Sequence, residues 1–252
     1  MKRFKIIPVI DILNSKAVHA KKGERSDYHP LKSHLFNSSN PVEIIKILKN
    51  NYHFDLFYIA DLDSIIKKTP NFQILEQILE ISGIKVILDP GIVEHKNIYQ
   101  FQKLEIEKLI LGLETIKNFK EVFKCLQILN QNEIIISFDM YKGKILSNAK
   151  DIKNQNPIKL TKKFYSLGVR NIILLDLYRV GQKLGGIPPL YLKLLHNFNG
   201  NVFVGGGIKN LKNILEIRKH NFAGVLLATA LYDGTIDIEK LRTFDLFKEF
   251  NQ

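Results

Sequence analysis

Four short segments from the first half of the chain recur, in the same order, in the second half. Ile6-Ile7-Pro8-Val9-Ile10-Asp11 matches Ile134-Ile135-Ile136-Ser137-Phe138-Asp139 at an offset of 128 residues, and a lysine follows five residues after each aspartate, at Lys16 and Lys144. Tyr58-Ile59-Ala60-Asp61-Leu62 matches Ile173-Leu174-Leu175-Asp176-Leu177 at an offset of 115. Val86-Ile87-Leu88-Asp89-Pro90-Gly91-Ile92 matches Val202-Phe203-Val204-Gly205-Gly206-Gly207-Ile208, and Leu109-Ile110-Leu111-Gly112 matches Val225-Leu226-Leu227-Ala228, both at 116. This period is far longer than that of a solenoid. It marks a duplicated half, with repeats of about 1–130 and 131–252.

Each matched segment is a continuous apolar run rich in isoleucine, valine or leucine and bounded by Asp or Gly, the pattern of a strand buried on both faces. Between the eight runs lie amphipathic stretches at 41–50, 71–81, 95–103, 117–129, 157–167, 188–196, 210–220 and 236–247. They carry helical spacing, as in Ile74, Leu75, Ile78 and Leu79, and start signals such as Asn40 before Pro41. Strand then helix, eight times over, requires parallel strands with right-handed crossovers. The expectation is an α/β protein, a (β/α)8 TIM barrel built from two duplicated half-barrels, with all 252 residues in one domain.

Composition narrows the function less than the repeat does. The net charge of +12 comes from lysines scattered over the polar sides of helical patterns, as in Glu43-Ile44-Ile45-Lys46-Ile47-Leu48-Lys49. No groove-reading motif or aromatic-basic interleaving accompanies them, so the expected partners exclude nucleic acid. No apolar run approaches the roughly 20 residues of a membrane helix, and the N-terminus lacks the apolar core of a signal peptide. A cytoplasmic protein with no membrane partner is expected, as a monomer or a small homo-oligomer. The single cysteine, Cys125, excludes an intrachain disulfide and reads as a buried small apolar residue rather than a nucleophile.

In such a barrel the chemistry lies at the C-terminal ends of the strands. Asp11 and Asp139 end strands one and five, opposite one another across an eight-strand ring, an arrangement suited to paired general base and acid. The alternative is two structural aspartates that cap loop amides. Gly205, Gly206 and Gly207 end strand seven, ahead of a helix near Asn210, where backbone amides approach a phosphate closely. Ala228 and Thr229, at the end of strand eight, would complete that cradle; the alternative for the triplet is a plain turn. Asp89, Gly91, Glu114, Thr115, Asp176 and Arg179, near the ends of strands three, four and six, are further substrate-binding candidates. The long loop at about 14–40, with Lys21, Lys22, Arg25, His29, Lys32 and His34, reads either as a lid over an anion or as a solvated insertion. His19, His53 and His95 read as ordinary loop residues, and no histidine-carboxylate spacing suggests a metal.

These segments resemble the histidine biosynthesis enzymes with duplicated half-barrels, and above all the phosphoribosylformimino-5-aminoimidazole carboxamide ribotide isomerases. The resemblance rests on Ile7 to Asp11, Asp61-Leu62-Asp63, Asp139, Gly205 to Ile208 and Ala228-Thr229-Ala230-Leu231-Tyr232. It implies an Amadori-type aldose-ketose isomerisation of a small phosphorylated metabolite with no cofactor, Asp11 acting as base and Asp139 as acid. Three positions depart from the family pattern. The first-half glycine triplet is Asp89-Pro90-Gly91, where a carboxylate repels phosphate and the proline lacks an amide. The strand-six threonine is Leu175, with Tyr178-Arg179-Val180-Gly181 in place of the acidic loop that follows. His19 stands where the sister cyclases have lysine, which argues against cyclase chemistry. The chain is also similar to a divergent archaeal branch of the family associated with methanopterin-linked one-carbon metabolism, through Asp89-Pro90-Gly91 and through Arg25, Tyr28 and Pro30. That likeness implies a different reaction, and the loss of the strand-six threonine a non-catalytic phosphate-binding protein.

Overall fold

The computed structural model describes residues 4–21, 23–24 and 27–241. Eight parallel strands close into a ring: β1 Lys5–Leu13, β2 Leu56–Asp61, β3 Lys85–Asp89, β4 Lys108–Gly112, β5 Ile134–Tyr141, β6 Asn171–Asp176, β7 Asn201–Gly205 and β8 Gly224–Leu227. The seam is β8 against β1, with Lys5 paired to Gly224 and Pro8 to Leu227. The four repeat matches are the pairs β1/β5, β2/β6, β3/β7 and β4/β8, each four strands apart and therefore opposite in the ring. The expected TIM barrel is the observed fold.

Strand periodicity sorts the side chains into two cores. Ile7, Tyr58, Ile87, Ile110, Ile135, Ile173, Phe203 and Leu226 fill the barrel interior. Their neighbours along the strands, such as Ile10, Ile59, Leu88, Ile136 and Leu174, pack outward under the helices. The same alternation decides which strand-end residues face inward. Asp11 lies four residues beyond Ile7, Asp139 four beyond Ile135 and Asp89 two beyond Ile87, so all three belong to the interior face.

Asparagine starts four of the outer helices. Asn40, Asn118, Asn156 and Asn210 each place a side-chain oxygen on amides of the first turn of Pro41–Tyr52, Phe119–Ile128, Pro157–Ser166 and Leu211–Lys219. Proline follows at the first helical position in two of them, where its missing N–H costs nothing.

Several expectations are corrected. The stretch expected as a helix at 95–103 is a 3-10 helix, His95–Phe101. The units are not uniformly strand-helix, because short helices Leu62–Lys67 and Lys150–Lys153 precede the main helices after β2 and β5. The loop after β1 is not structureless: Lys16–His19 folds back antiparallel on β1, and His29–Pro30 pairs with Val18 and His19. Of the last expected helix, 236–247, residues 238–241 are helical and those from 242 onward lie outside the described residues. No helix among the described residues is long and apolar enough to cross a membrane.

Candidate active site

The C-terminal ends of the eight strands surround a cavity of about 1070 Å³, counting the space open to solvent. Asp11, Asp89, Glu114, Thr115, Asp139, Gly205, Gly206, Gly207, Ala228 and Thr229 all line it. The structure thus brings together ten of the thirteen residues singled out from the sequence. Gly91, Asp176 and Arg179 are outside it.

Asp139 is the most shielded carboxylate of the group, at 7% exposure. Burial pushes its carboxyl well above the usual range, and the negative charges of Asp89 and Glu114 push the same way. A hydrogen bond from Ser137 Oγ to Asp139 Oδ1, 2.9 Å, opposes the rise, as does the amide of Glu114. Room for the carboxylate depends on Gly112, where a Cβ would come within 3.2 Å of Asp139 Oδ2. Asp139 therefore favours its proton-bearing form, the state a general acid requires. Asp11 reaches the same space from the opposite strand.

Tyr58 had no role in the sequence reading, yet it sits among these acids. Its phenol points inward from β2 and donates to Asp89 Oδ2 at 2.9 Å. Burial and then the surrounding charges of Asp89, Asp139 and Asp11 hold the phenol well above its ordinary pKa, so it remains a neutral donor. A tyrosine hydroxyl in an otherwise apolar stretch, Leu56 to Ala60, was the available signal. Gly91, beyond it, adopts φ +66°, and a Cβ there would meet the Ile65 backbone at 2.9 Å. It shapes the turn rather than the cavity wall.

The other side of the cavity is built differently. Gly206 and Gly207 take consecutive left-handed conformations, φ +79° and +78°. The helix that follows starts only at Leu211, and the Asn210 side chain already accepts the Asn213 amide at 3.0 Å. Asn210 thus caps that helix end, taking up its Asn213 amide. Thr229 Oγ1 shares a 3.0 Å hydrogen bond with His19 Nε2 from the folded-back strand after β1. Desolvation lowers the His19 pKa and favours the neutral ring. Lys183, which the sequence reading did not single out, lines the cavity while paired to Asp233 at 2.7 Å, a contact made between the loops after β6 and β8.

Other polar residues at the strand ends hold backbone groups of the neighbouring loops. Asp176 accepts the amides of Lys142, Gly143 and Tyr178 at 3.0, 2.9 and 3.1 Å, fastening β6 to the β5 hairpin. The Arg179 guanidinium donates to the Gly185 and Gly186 carbonyls and packs behind Gly207. Asp61 caps Leu62–Lys67 and also accepts the Asn71 amide at 2.8 Å, while Asp63 accepts the Asn14 amide at 2.7 Å. Within the long first loop, His29 and Lys32 are exposed or half-exposed, and His34 bonds the Tyr232 carbonyl at 3.3 Å. Lys22 and Arg25 lie outside the described residues. Ala20, Gly23 and Tyr28 line the cavity. Cys125 is buried, its thiol pushed up to about 12 by desolvation.

Comparison with known proteins agrees with this architecture. An uncharacterised protein of Methanocaldococcus jannaschii is 31% identical over 244 residues, covering 94% of this chain and 97% of its own. The 1-(5-phosphoribosyl)-5-((5-phosphoribosylamino)methylideneamino) imidazole-4-carboxamide isomerase of a Sulfurihydrogenibium species is 26% identical, with 94% and 98% coverage. The enzyme of the same name from Lactococcus lactis is 27% identical, with 94% and 97% coverage. The profile of the histidine biosynthesis protein family matches residues 5–237, and the chain belongs to that family.

Proposed function

We propose that the chain is a cofactor-free aldose-ketose isomerase of the Amadori type, acting on a phosphorylated sugar or aminosugar. The observation that carries this reading is the pair of aspartates reaching one cavity from opposite strands, with Asp139 buried and its carboxyl raised by that burial and by the charges of Asp89 and Glu114. Asp139 would protonate the sugar ring oxygen and open the ring to an imine. Asp11 would then remove the proton from C2, giving an enaminol. Asp11 would return that proton to C1 while the C2 hydroxyl gives its proton to the Asp139 carboxylate left by ring opening, leaving a ketone at C2. The result is a ketose with no net oxidation. Gly205, Gly206 and Gly207, together with Ala228 and Thr229, would hold the substrate phosphate, with Lys183 adding positive charge beside them. The relatives whose printed name is an imidazole-4-carboxamide isomerase support the reaction class.

Replacing Asp11 or Asp139 by asparagine should each lower turnover by about 10²–10⁴-fold, followed as loss of the C2 hydrogen to solvent by NMR. Turnover unchanged in either variant would sink the assignment. Complementation of a histidine auxotroph separates the histidine-pathway isomerase from an isomerase with another substrate.

A second reading, a phosphate-ligand-binding protein without catalysis or a family member with a different reaction, is favoured by Leu175. This side chain lines the cavity with an apolar surface where the family pattern has threonine. Phosphate binding with no exchange at C2 would support it.

A further inference from the structure

The two ends of the cavity are related by the repeat but differ in chemistry. Strands β3 and β7 are opposite in the ring, and their ends, Asp89-Pro90-Gly91 and Gly205-Gly206-Gly207, are repeat counterparts. At β7 the turn consists of glycines. At β3 its amides are absent or engaged: Pro90 has no N–H, and the Gly91 amide donates to Asp89 Oδ1 at 3.1 Å. The turn is also pinned from outside, with Ser64 Oγ donating to the Pro90 carbonyl at 2.6 Å and Thr115 Oγ1 to the Ile92 carbonyl at 3.1 Å. It has no slack with which to turn amides towards a ligand.

The charges differ in the same sense. Asp89, Glu114 and Asp139 line the β3 to β5 side and Asp11 the end of β1, whereas Lys183, the one cation lining the cavity among the described residues, sits by the loops after β6 and β8, paired to Asp233. A dianion at the β3 end would meet carboxylates with no cation between them.

We propose that the cavity accepts a substrate with a single phosphate, held at β7 and β8. The opposite end of that substrate is an unphosphorylated group, hydroxyl or ammonium, that donates hydrogen bonds to Asp89 and Glu114. This rests on the phosphate reading of the glycine triplet given above. It separates the chain from its curated relatives, whose printed name carries two phosphoribosyl groups. The specificity-determining feature is the Asp89-Pro90 step, supported by the Tyr58 phenol that fixes the Asp89 carboxylate.

The test is calorimetric titration of the full chain with inorganic phosphate, followed by competition with sugar phosphates. One phosphate per chain is expected. Asp89→Gly combined with Pro90→Gly, which restores a glycine triplet at β3, should take up a second. Two phosphates on the unsubstituted chain would overturn the inference and leave the phosphate reading standing; none would overturn both. A correctly folded double variant that still binds one phosphate would count against the Asp89-Pro90 assignment. In the competition arm, glucose 6-phosphate and glucosamine 6-phosphate should each bind at least tenfold more tightly than fructose 1,6-bisphosphate, and this arm needs no variant to fold. Tighter binding of the glucosamine ester identifies an ammonium at the far end, and equal binding a hydroxyl. Bisphosphate binding as tight as either monoester would overturn the proposal.

Discussion

Asp139 owes its chemistry to neighbours that are distant in sequence. Burial first, and then the charges of Asp89 and Glu114, raise its carboxyl, and a raised acid loses its proton only as pH climbs through that higher value. Under the proposed mechanism the alkaline limb of the rate profile follows Asp139. Glu114→Gln removes one repelling charge while leaving the Glu114 amide in place, so that limb should move to lower pH; an unmoved limb would show that Asp139 is not the titrating acid. Gly207 is constrained in another way. At φ +78°, any side chain is strained, and a Cβ would lie 3.1 Å from Arg179 Cβ and Nε. Gly207→Ala should cost about 1–2 kcal/mol of stability, measured by denaturant midpoint, and should weaken phosphate binding as well. The position of Asp11, Asp89 and Asp139 at strand ends was legible in the sequence, but the face each occupies was not, because strands that are apolar on both faces show no alternation. Tyr58 and Lys183 were not singled out, because their partners Asp89 and Asp233 lie 31 and 50 residues away.

Helix starts were the most legible elements, since capping is decided within four residues. Asn40→Ala should cost about 1 kcal/mol, because its oxygen accepts the Val42 amide at 2.9 Å. The 3-10 helix His95–Phe101 was less legible: apolar spacing does not separate α from 3-10 over two turns. Here the Asn97 side chain folds back to accept the Val93 and Glu94 amides at 3.1 and 2.8 Å, tightening the entry. That element is joined to Phe119–Ile128 through Glu121, whose carboxylate accepts from Lys124, from the His95 ring and from the His95 amide. These bonds, the Lys124 and His95 side chains first, lower the Glu121 pKa to about 2. A depressed carboxyl stabilises the fold fully above its unfolded pKa and ceases to do so as pH falls through the folded one. Glu121→Gln should therefore cost about 1.5–3 kcal/mol at neutral pH and progressively less as pH falls towards and through about 2, read from denaturation curves across that range.

For the whole molecule, closure of the ring is the decisive step, because it leaves no barrel-strand edge unpaired. The seam requires Gly224, where a Cβ would lie 2.3 Å from the Lys5 carbonyl oxygen. Gly224→Ala should separate β8 from β1 and cost about 1–3 kcal/mol, with the loss of amide protection concentrated at residues 5–8 and 224–227 in hydrogen exchange. The sequence by itself determined the barrel. A repeat, eight apolar runs and the helical spacing between them are local patterns, and eight alternating units have few ways to bury both faces of their strands. It also determined which residues stand at the strand ends, because each apolar run stops at an Asp or a Gly. Only the tertiary structure decided how those residues are paired and charged. It turned Asp176 and Arg179 into loop fasteners, placed Tyr58 on Asp89, brought Lys183 to Asp233 and surrounded Asp139 with two further acids. The physical reason is that hydrogen bonds and charge interactions depend on distances of a few ångströms, and ring closure sets these between segments that the sequence keeps far apart.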